Sequence, residues 1–183
     1  AQNLACSFGL VDVSTKAYIP LKVNSDNLFT TQQPIAKGTT FKMEVKNNTE
    51  CYVYILGKET DGSSYVLFPY PRKDDPTKTK FSPYCGITGY RLFPRGMSMQ
   101  ADEIGTKDYI AIITSKTPLS VFELKDAVNA NKAAGFEQAV NKAIKRLQIN
   151  DVQFTANTDG TIAFETAIGN KNTVACIIEI EKR

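Results

Sequence analysis

With 183 residues, 42% of them apolar and 22% charged, the chain has the make-up of a folded protein with enough residues for a real core. Its net charge of +3 is too small to mark a nucleic-acid binder, and nucleic acid is not an expected partner. No apolar run approaches the ~20 residues that a bilayer-crossing helix needs, and no membrane span is expected. The chain starts Ala1-Gln2-Asn3, without an initiator methionine or an apolar signal core. That start predicts either a periplasmic or otherwise exported protein whose signal peptide has been removed, or a piece of something longer.

Residues 4 to 13 alternate loosely and predict a first strand. Residues 22 to 31, polar with Asn24, Asp26 and Asn27, predict a loop, and Pro34 to Gly38 a turn. Phe41, Met43 and Val45 then alternate with Lys42, Glu44 and Lys46, a strand with one buried face. Asn47-Asn48-Thr49 closes that strand; it also matches a glycosylation sequon, which matters only in a eukaryotic secretory setting. Cys51 to Gly57 and Tyr65 to Phe68 flank a polar turn holding Asp61-Gly62, the signature of a β-hairpin. Both runs are apolar at nearly every position, which predicts a central hairpin covered on both faces. Pro69 stops the second strand because it has no N–H to give to a ladder.

Residues 70 to 96 are punctuated by Pro71, Pro76, Pro83 and Pro94 and read as a long ordered loop, broken by a short strand at Tyr90 to Phe93. Six basic residues (Arg72, Lys73, Lys78, Lys80, Arg91, Arg95) face two acidic ones (Asp74, Asp75) there, with Phe81, Tyr84, Tyr90 and Phe93 among them. Tyr109 to Thr114 predicts a buried strand. Helical patterning follows, opened by a Ser120/Glu123 capping box and a Leu119/Leu124 staple. Phe136, Val140, Ile144 and Leu147 continue it at helical spacing beyond a break at Gly135. Residues 152 to 156 and 161 to 166 predict a second hairpin, and 174 to 181 a last strand. The order strands, helices, strands predicts one domain over residues 1–183: a mainly-β, antiparallel β-sandwich of immunoglobulin-like architecture with a helical insertion at 119–148.

The chain contains no histidine, which removes Ser-His-Asp and Cys-His catalysis and His-liganded metals. A nucleophilic cysteine would need another cation to lower its pKa; Cys85, in the basic loop, is the candidate, weighed against a structural role. The carboxylate pairs Asp74-Asp75 and Asp102-Glu103 are adjacent in sequence and do not face across a cleft, so they read as solvated turn residues. No calcium loop, phosphate-binding glycine motif or close cysteine pair is present, and no cofactor or metal is expected. Cys6, Cys51, Cys85 and Cys176 leave two readings open: disulfides of an oxidising compartment, or buried free thiols. If bridged, Cys6 with Cys176 is the favoured pair, since each lies in a terminal strand. Basic residues interleaved with aromatics can bind a polyanion or stack on a sugar. The other reading is that Phe81, Tyr84 and Phe93 fold back as a satellite cluster while the cations stay solvated.

Several short pieces together resemble a known bacterial family. They are Pro34-Ile35 with Gly38, Phe41-Lys42 with Glu44-Val45, Cys51-Tyr52-Val53-Tyr54-Ile55, Asp61-Gly62, Leu67-Phe68-Pro69, Leu92-Phe93-Pro94 and Gly105-Thr106-Lys107-Asp108-Tyr109. In this order, over residues 28 to 120, they resemble the domain of unknown function 4384. The resemblance implies a β-sandwich module found in exported proteins or appended to caspase-like peptidase or kinase domains, with an accessory, non-catalytic role. It defines no catalytic residues, and the helical insert and last strands lie outside its pattern. The expected function is a non-catalytic exported module that binds a protein or cell-envelope partner. Its expected contact surface is the 70–96 loop, through Arg72, Tyr84, Arg91 and Arg95. The alternatives are a histidine-free enzyme using Cys85 and a polyanion- or carbohydrate-binding module using the same loop.

Overall fold

A computed structural model of the chain describes residues 2–87 and 89–183. The elements run β1 (Asn3–Asp12), β2 (Tyr18–Ile19), β3 (Leu21–Ser25), β4 (Leu28–Thr31), β5 (Thr40–Asn47), β6 (Cys51–Lys58), β7 (Ser64–Phe68), β8 (Tyr84–Cys85), β9 (Tyr90–Phe93) and β10 (Met99–Gln100). They continue with β11 (Lys107–Ser115), α1 (Val121–Ala130), α2 (Phe136–Ala143), β12 (Phe154–Ala156), β13 (Ile162–Ala167) and β14 (Thr173–Glu181). Sheet I has the order β10-β5-β1-β13-β12, with β2 beside β1 and β9 beside β5. Sheet II has the order β3-β4-β14-β11-β6-β7, with β8 beside β6. The two sheets face each other across a core of Phe8, Leu10, Phe29, Met43, Val53, Ile55, Ile112 and Ile178 among others, which makes the chain a β-sandwich.

Sequence period explains which sheet is which. In β5, Phe41, Met43 and Val45 point into the sandwich and are buried, while Lys42, Glu44 and Lys46 lie on the other face. In β6, β11 and β14 both faces are apolar because each face has its own core. Val53, Ile55, Ile110, Ile112, Cys176 and Ile178 join the sandwich core. Their neighbours Tyr54, Leu56, Ala111, Ile113, Ala175 and Ile177 join a second core, under the helices. A fully buried Leu or Ile side chain contributes roughly 1.5–3 kcal/mol, so this second core is a substantial part of the fold's stability.

The helices follow their local chemistry. Ser120 caps α1, its Oγ accepting from the Glu123 N–H at 3.3 Å. Leu119 and Leu124 both pack into the second core, as a hydrophobic staple requires. Gly135, at φ +92°, turns the chain between the helices in a conformation that a side chain would strain. The Tyr54 hydroxyl, buried on sheet II, accepts from the Leu119 N–H at 2.7 Å and ties the start of the insert to the sheet.

Four features differ from the sequence reading. Residues 22–31 are not a loop: β3 and β4 form a hairpin there, turning at Asp26 with φ +49°. The signal was weak because Leu21 and Val23 make a single alternating pair and Leu28-Phe29 stand alone among polar residues. The sandwich is not wholly antiparallel, since β4 pairs parallel with β14. These two strands are joined through most of the chain rather than by a tight turn, which leaves their direction free. The β6–β7 hairpin is covered as expected along β6, but β7 lies at the edge of sheet II and not at its centre. The short strand β8, paired with β6 beyond the end of β7, had no sequence signal.

Candidate functional site

Residues 70–96 close the edge of the sandwich where β7 of sheet II and β9 of sheet I approach each other. Both strands end in Leu-Phe-Pro, and the two phenylalanines meet: the Phe68 and Phe93 ring centroids are 4.4 Å apart. Both side chains are buried, so the repeated tripeptide serves as a clasp between the sheets. From Pro69 the chain makes a small turn of its own. The Arg72 N–H donates to the Lys78 carbonyl at 2.8 Å and the Lys80 N–H to the Tyr70 carbonyl at 3.0 Å. At its tip the Asp75 carboxylate accepts from the Thr77 N–H at 3.1 Å and from its hydroxyl at 2.6 Å. Those bonds to the charged form hold the Asp75 carboxyl below its ordinary value.

The structure gives most of the basic and aromatic residues a local task. Phe81 folds back onto Phe68 at 6.3 Å and meets Tyr70 edge-on at 5.6 Å. The Arg95 guanidinium lies over the Phe81 ring at 5.0 Å, and the Lys80 ammonium lies 5.7 Å from the same ring. Arg72 forms a two-pronged ion pair with Asp74 on the surface, one prong at 2.9 Å. Arg91 is a strut: its Nη1 donates to the Asn47 Oδ1 and to the Gly86 carbonyl, both at 3.0 Å. Asn47 is itself buried and donates to the carbonyls of Thr49, Cys85 and Gly86. Tyr84 packs edge-on against Tyr52 at 5.7 Å with its outer side in solvent. Of the four residues singled out, Tyr84 and Arg91 flank Cys85 and Gly86, whereas Arg72 and Arg95 lie beside the Tyr70–Phe81 cluster. They do not converge on one point.

Cys85 has the environment of a structural thiol. It is 2% exposed, and burial pushes its pKa up to about 11, opposed only in part by Arg91 and Arg95. A nucleophilic cysteine needs the opposite shift. All four cysteines are free and buried, and the pairing of Cys6 with Cys176 is not formed: the two sit on different sheets, β1 and β14, within the sandwich core.

What the sequence did not flag is a concentration of exposed apolar groups. Among the described residues nine large apolar side chains are exposed, and five of them (Tyr84, Ile87, Tyr90, Leu92 and Met97) fall within residues 84–97. Tyr90 and Leu92 share the outward face of β9, beside Lys46 and Glu44 of β5. The far side of β9 pairs with no strand among the described residues, so its backbone is an open edge. The Tyr90/Leu92 alternation was legible; that it faces water was not, because Phe93 beside it is core. Asn47, which holds this corner together, was marked only as the end of a strand and the first residue of a glycosylation sequon; that its side chain is buried as a hydrogen-bonding strut had no signal. A separate polar groove of about 600 Å³ lies where the helical insert meets the sandwich, lined by Asp26, Asn27, Asn141, Gln148, Asp151 and Phe154.

Residues 35–118 match the family model described as Domain of unknown function (DUF4384). No curated protein and no solved structure matches the chain. The matched stretch spans β5 to β11 and includes the Phe68–Phe93 clasp and the β9 edge. It excludes β1, β4, β13 and β14, which complete both sheets, and it excludes both helices.

Proposed function

We propose that this chain, carrying a domain of unknown function 4384 over residues 35–118, is a non-catalytic recognition module that binds a protein or cell-envelope partner along the β9 edge. The observation that carries the reading is the grouping of five exposed apolar side chains on residues 84–97, beside an open strand edge. An open edge offers backbone hydrogen bonds to an extended segment of a partner, and alternate side chains such as Tyr90 and Leu92 supply selectivity. A non-catalytic role is supported by the absence of histidine and by the burial and raised pKa of Cys85. Use of the loop for polyanions has less support, because Arg72 is paired with Asp74, Arg91 with Asn47, and Arg95 lies on Phe81. An exported setting, periplasmic or extracellular, is the one the family resemblance implies.

The test is a charge inserted on the edge. A Tyr90→Asp/Leu92→Asp double variant and a Val23→Asp control on the opposite sheet are expressed in the source organism and cross-linked in the cell. The reading expects the partner adduct to disappear in the double variant and to persist in the control. An adduct that survives the double variant sinks it.

A further inference from the structure

At the edge of the sandwich away from β9, the polar groove of about 600 Å³ lies between the β3–β4 turn, α2, the segment after α2 and β12. Its floor is a chain of three carboxamides from three places in the sequence. The Asn27 Nδ2 donates to the Asn141 Oδ1 at 2.8 Å and to the Ala175 carbonyl of β14 at 2.9 Å. The Gln148 Nε2 donates to the same Asn141 Oδ1 at 2.9 Å. The backbone behind them is equally fixed. The Ile177 N–H donates to the Asn27 carbonyl at 2.9 Å, and the Ile149 N–H to the Thr173 carbonyl at 2.8 Å. Phe154 forms one wall, its ring met edge-on by Phe29 at 4.9 Å and by Phe164 at 5.7 Å. Asp26 and Asp151 stand exposed at the rim.

These bonds fix each amide and leave part of it unused. Both hydrogens of the Asn27 amide are committed, so its oxygen is the free atom. The Asn141 oxygen accepts twice, which leaves its NH2 group as a donor without a partner among the described residues. The Gln148 oxygen is unpaired in the same sense. No buried side-chain nitrogen or oxygen among the described residues lacks a partner, so these unused atoms are accessible, on half-buried side chains that line the groove. The rim adds acceptors alone, the two carboxylates, and no lysine or arginine lines the groove.

This pattern selects its occupant. An anion would meet two carboxylates and no cation. A bare ammonium, a donor only, would leave the Asn141 donor unmatched, and the described residues hold no cluster of acidic or sulfur ligands fit for a metal ion. A hydroxyl both gives and accepts, so it matches the carboxylates and the Gln148 oxygen with its hydrogen and the Asn141 amide with its lone pairs. A molecule rich in hydroxyls that also carries an apolar C–H face for Phe154 is a sugar. The volume falls within the roughly 300–1,000 Å³ of small-molecule sites. We propose that this groove binds a short neutral saccharide, its hydroxyls read by Asp26, Asp151, Asn27, Asn141 and Gln148 and one ring face seated on Phe154. All of these residues lie outside the family-matched stretch 35–118, so the site belongs to the parts of the chain that surround it. It makes no use of the β9 edge, and the two sites are tested apart.

The experiment titrates the folded, isotope-labelled chain with maltose, cellobiose, lactose and diacetylchitobiose at millimolar concentration and follows its amide NMR spectrum. The expected result is saturable binding of at least one disaccharide that shifts the side-chain amide signals of Asn27, Asn141 and Gln148 together. Asp26 and Asp151 have left-handed backbones, at φ +49° and +60°, which glycine adopts freely. An Asp26→Gly/Asp151→Gly variant therefore removes both carboxylates without straining either turn, and should bind the same sugar about tenfold more weakly. Lys46→Ala, on the open face of β5, should bind it unchanged. The proposal is overturned if no sugar shifts the three amides, or if the shifts fall elsewhere on the molecule. Calcium chloride or inorganic phosphate moving those amides when no sugar does overturns it as well, as does equal affinity in the double variant. If that variant fails to fold, the wild-type titration decides alone.

Discussion

Strands β14 and β5 are of similar length, nine and eight residues, yet they read differently in sequence. On β14, Val174 to Ile178 are buried one after another, while on β5 only every second side chain is. The difference is the helical layer. Sheet II lies between the other sheet and the α1–α2 pair, so each of its central strands supplies two cores at once. Sheet I has one partner, and its outer face keeps lysines, glutamates and the exposed residues of β9. A continuous apolar run thus reports a third layer, and a clean alternation reports a face left to water or to a binding partner.

The largest expected effects test whether both faces of sheet II are true cores. Ile177→Ala, into the helical layer, and Ile178→Ala, into the sandwich, should each cost about 2–5 kcal/mol in urea unfolding, because both side chains are fully buried. Lys46→Ala, on the open face of β5, should stay within about 0.5 kcal/mol. If Ile177→Ala were as mild as Lys46→Ala, the helices would not be part of the cooperative unit, and the contrast would collapse. Next comes the tie between layers. Tyr54→Phe removes the acceptor of the Leu119 N–H and should cost about 1–3 kcal/mol. Faster amide exchange at the start of α1 than in β11 would place that loss at the insert; uniform exchange would not.

The smallest effect concerns the end of the sandwich where β14 runs out. The side chain of Lys182 is buried between Asp102 and Asp108, with Asp108 at 2.8 Å. Burial pulls the Lys182 amine down, and the hydrogen bonds to Asp102 and Asp108 more than offset this, leaving it raised. Asp102 in turn is held below its ordinary value by that bond from Lys182 and by one from the Ile104 N–H. A carboxyl lowered in the fold adds stability above its unfolded pKa of about 4, and this is lost as pH falls through the folded value. Asp102→Asn should therefore be less stable at neutral pH and show a shallower loss of melting temperature below about pH 4. An acid limb of unchanged slope would remove Asp102 from that role.

Much of the architecture was legible because it follows from local period and turn chemistry. The Phe41/Met43/Val45 alternation, the Asp61-Gly62 hairpin, the Ser120 cap and the unbroken run on β11 each became the element they predicted. What escaped depends on partners distant in the chain. The β3–β4 hairpin exists because β14 offers β4 an edge, and nothing near Asn24 or Asn27 announces that. At the candidate site, the cations were visible and the exposed apolar residues were in plain sight, but their roles exchanged. Arg91 and Arg95 support structure, while Tyr90 and Leu92 face outward, because which side of a four-residue strand meets the core is set by its pairing with β5.

Of the fourteen strands among the described residues, β14 is the last to leave the ribosome, and it lies in the middle of sheet II. Until it arrives, β4 and β11 have no neighbour between them, and Phe29 has a half-built wall. Both interiors therefore stay incomplete until the residues of β14 are made, and neither core can be finished without the chain that supplies the other.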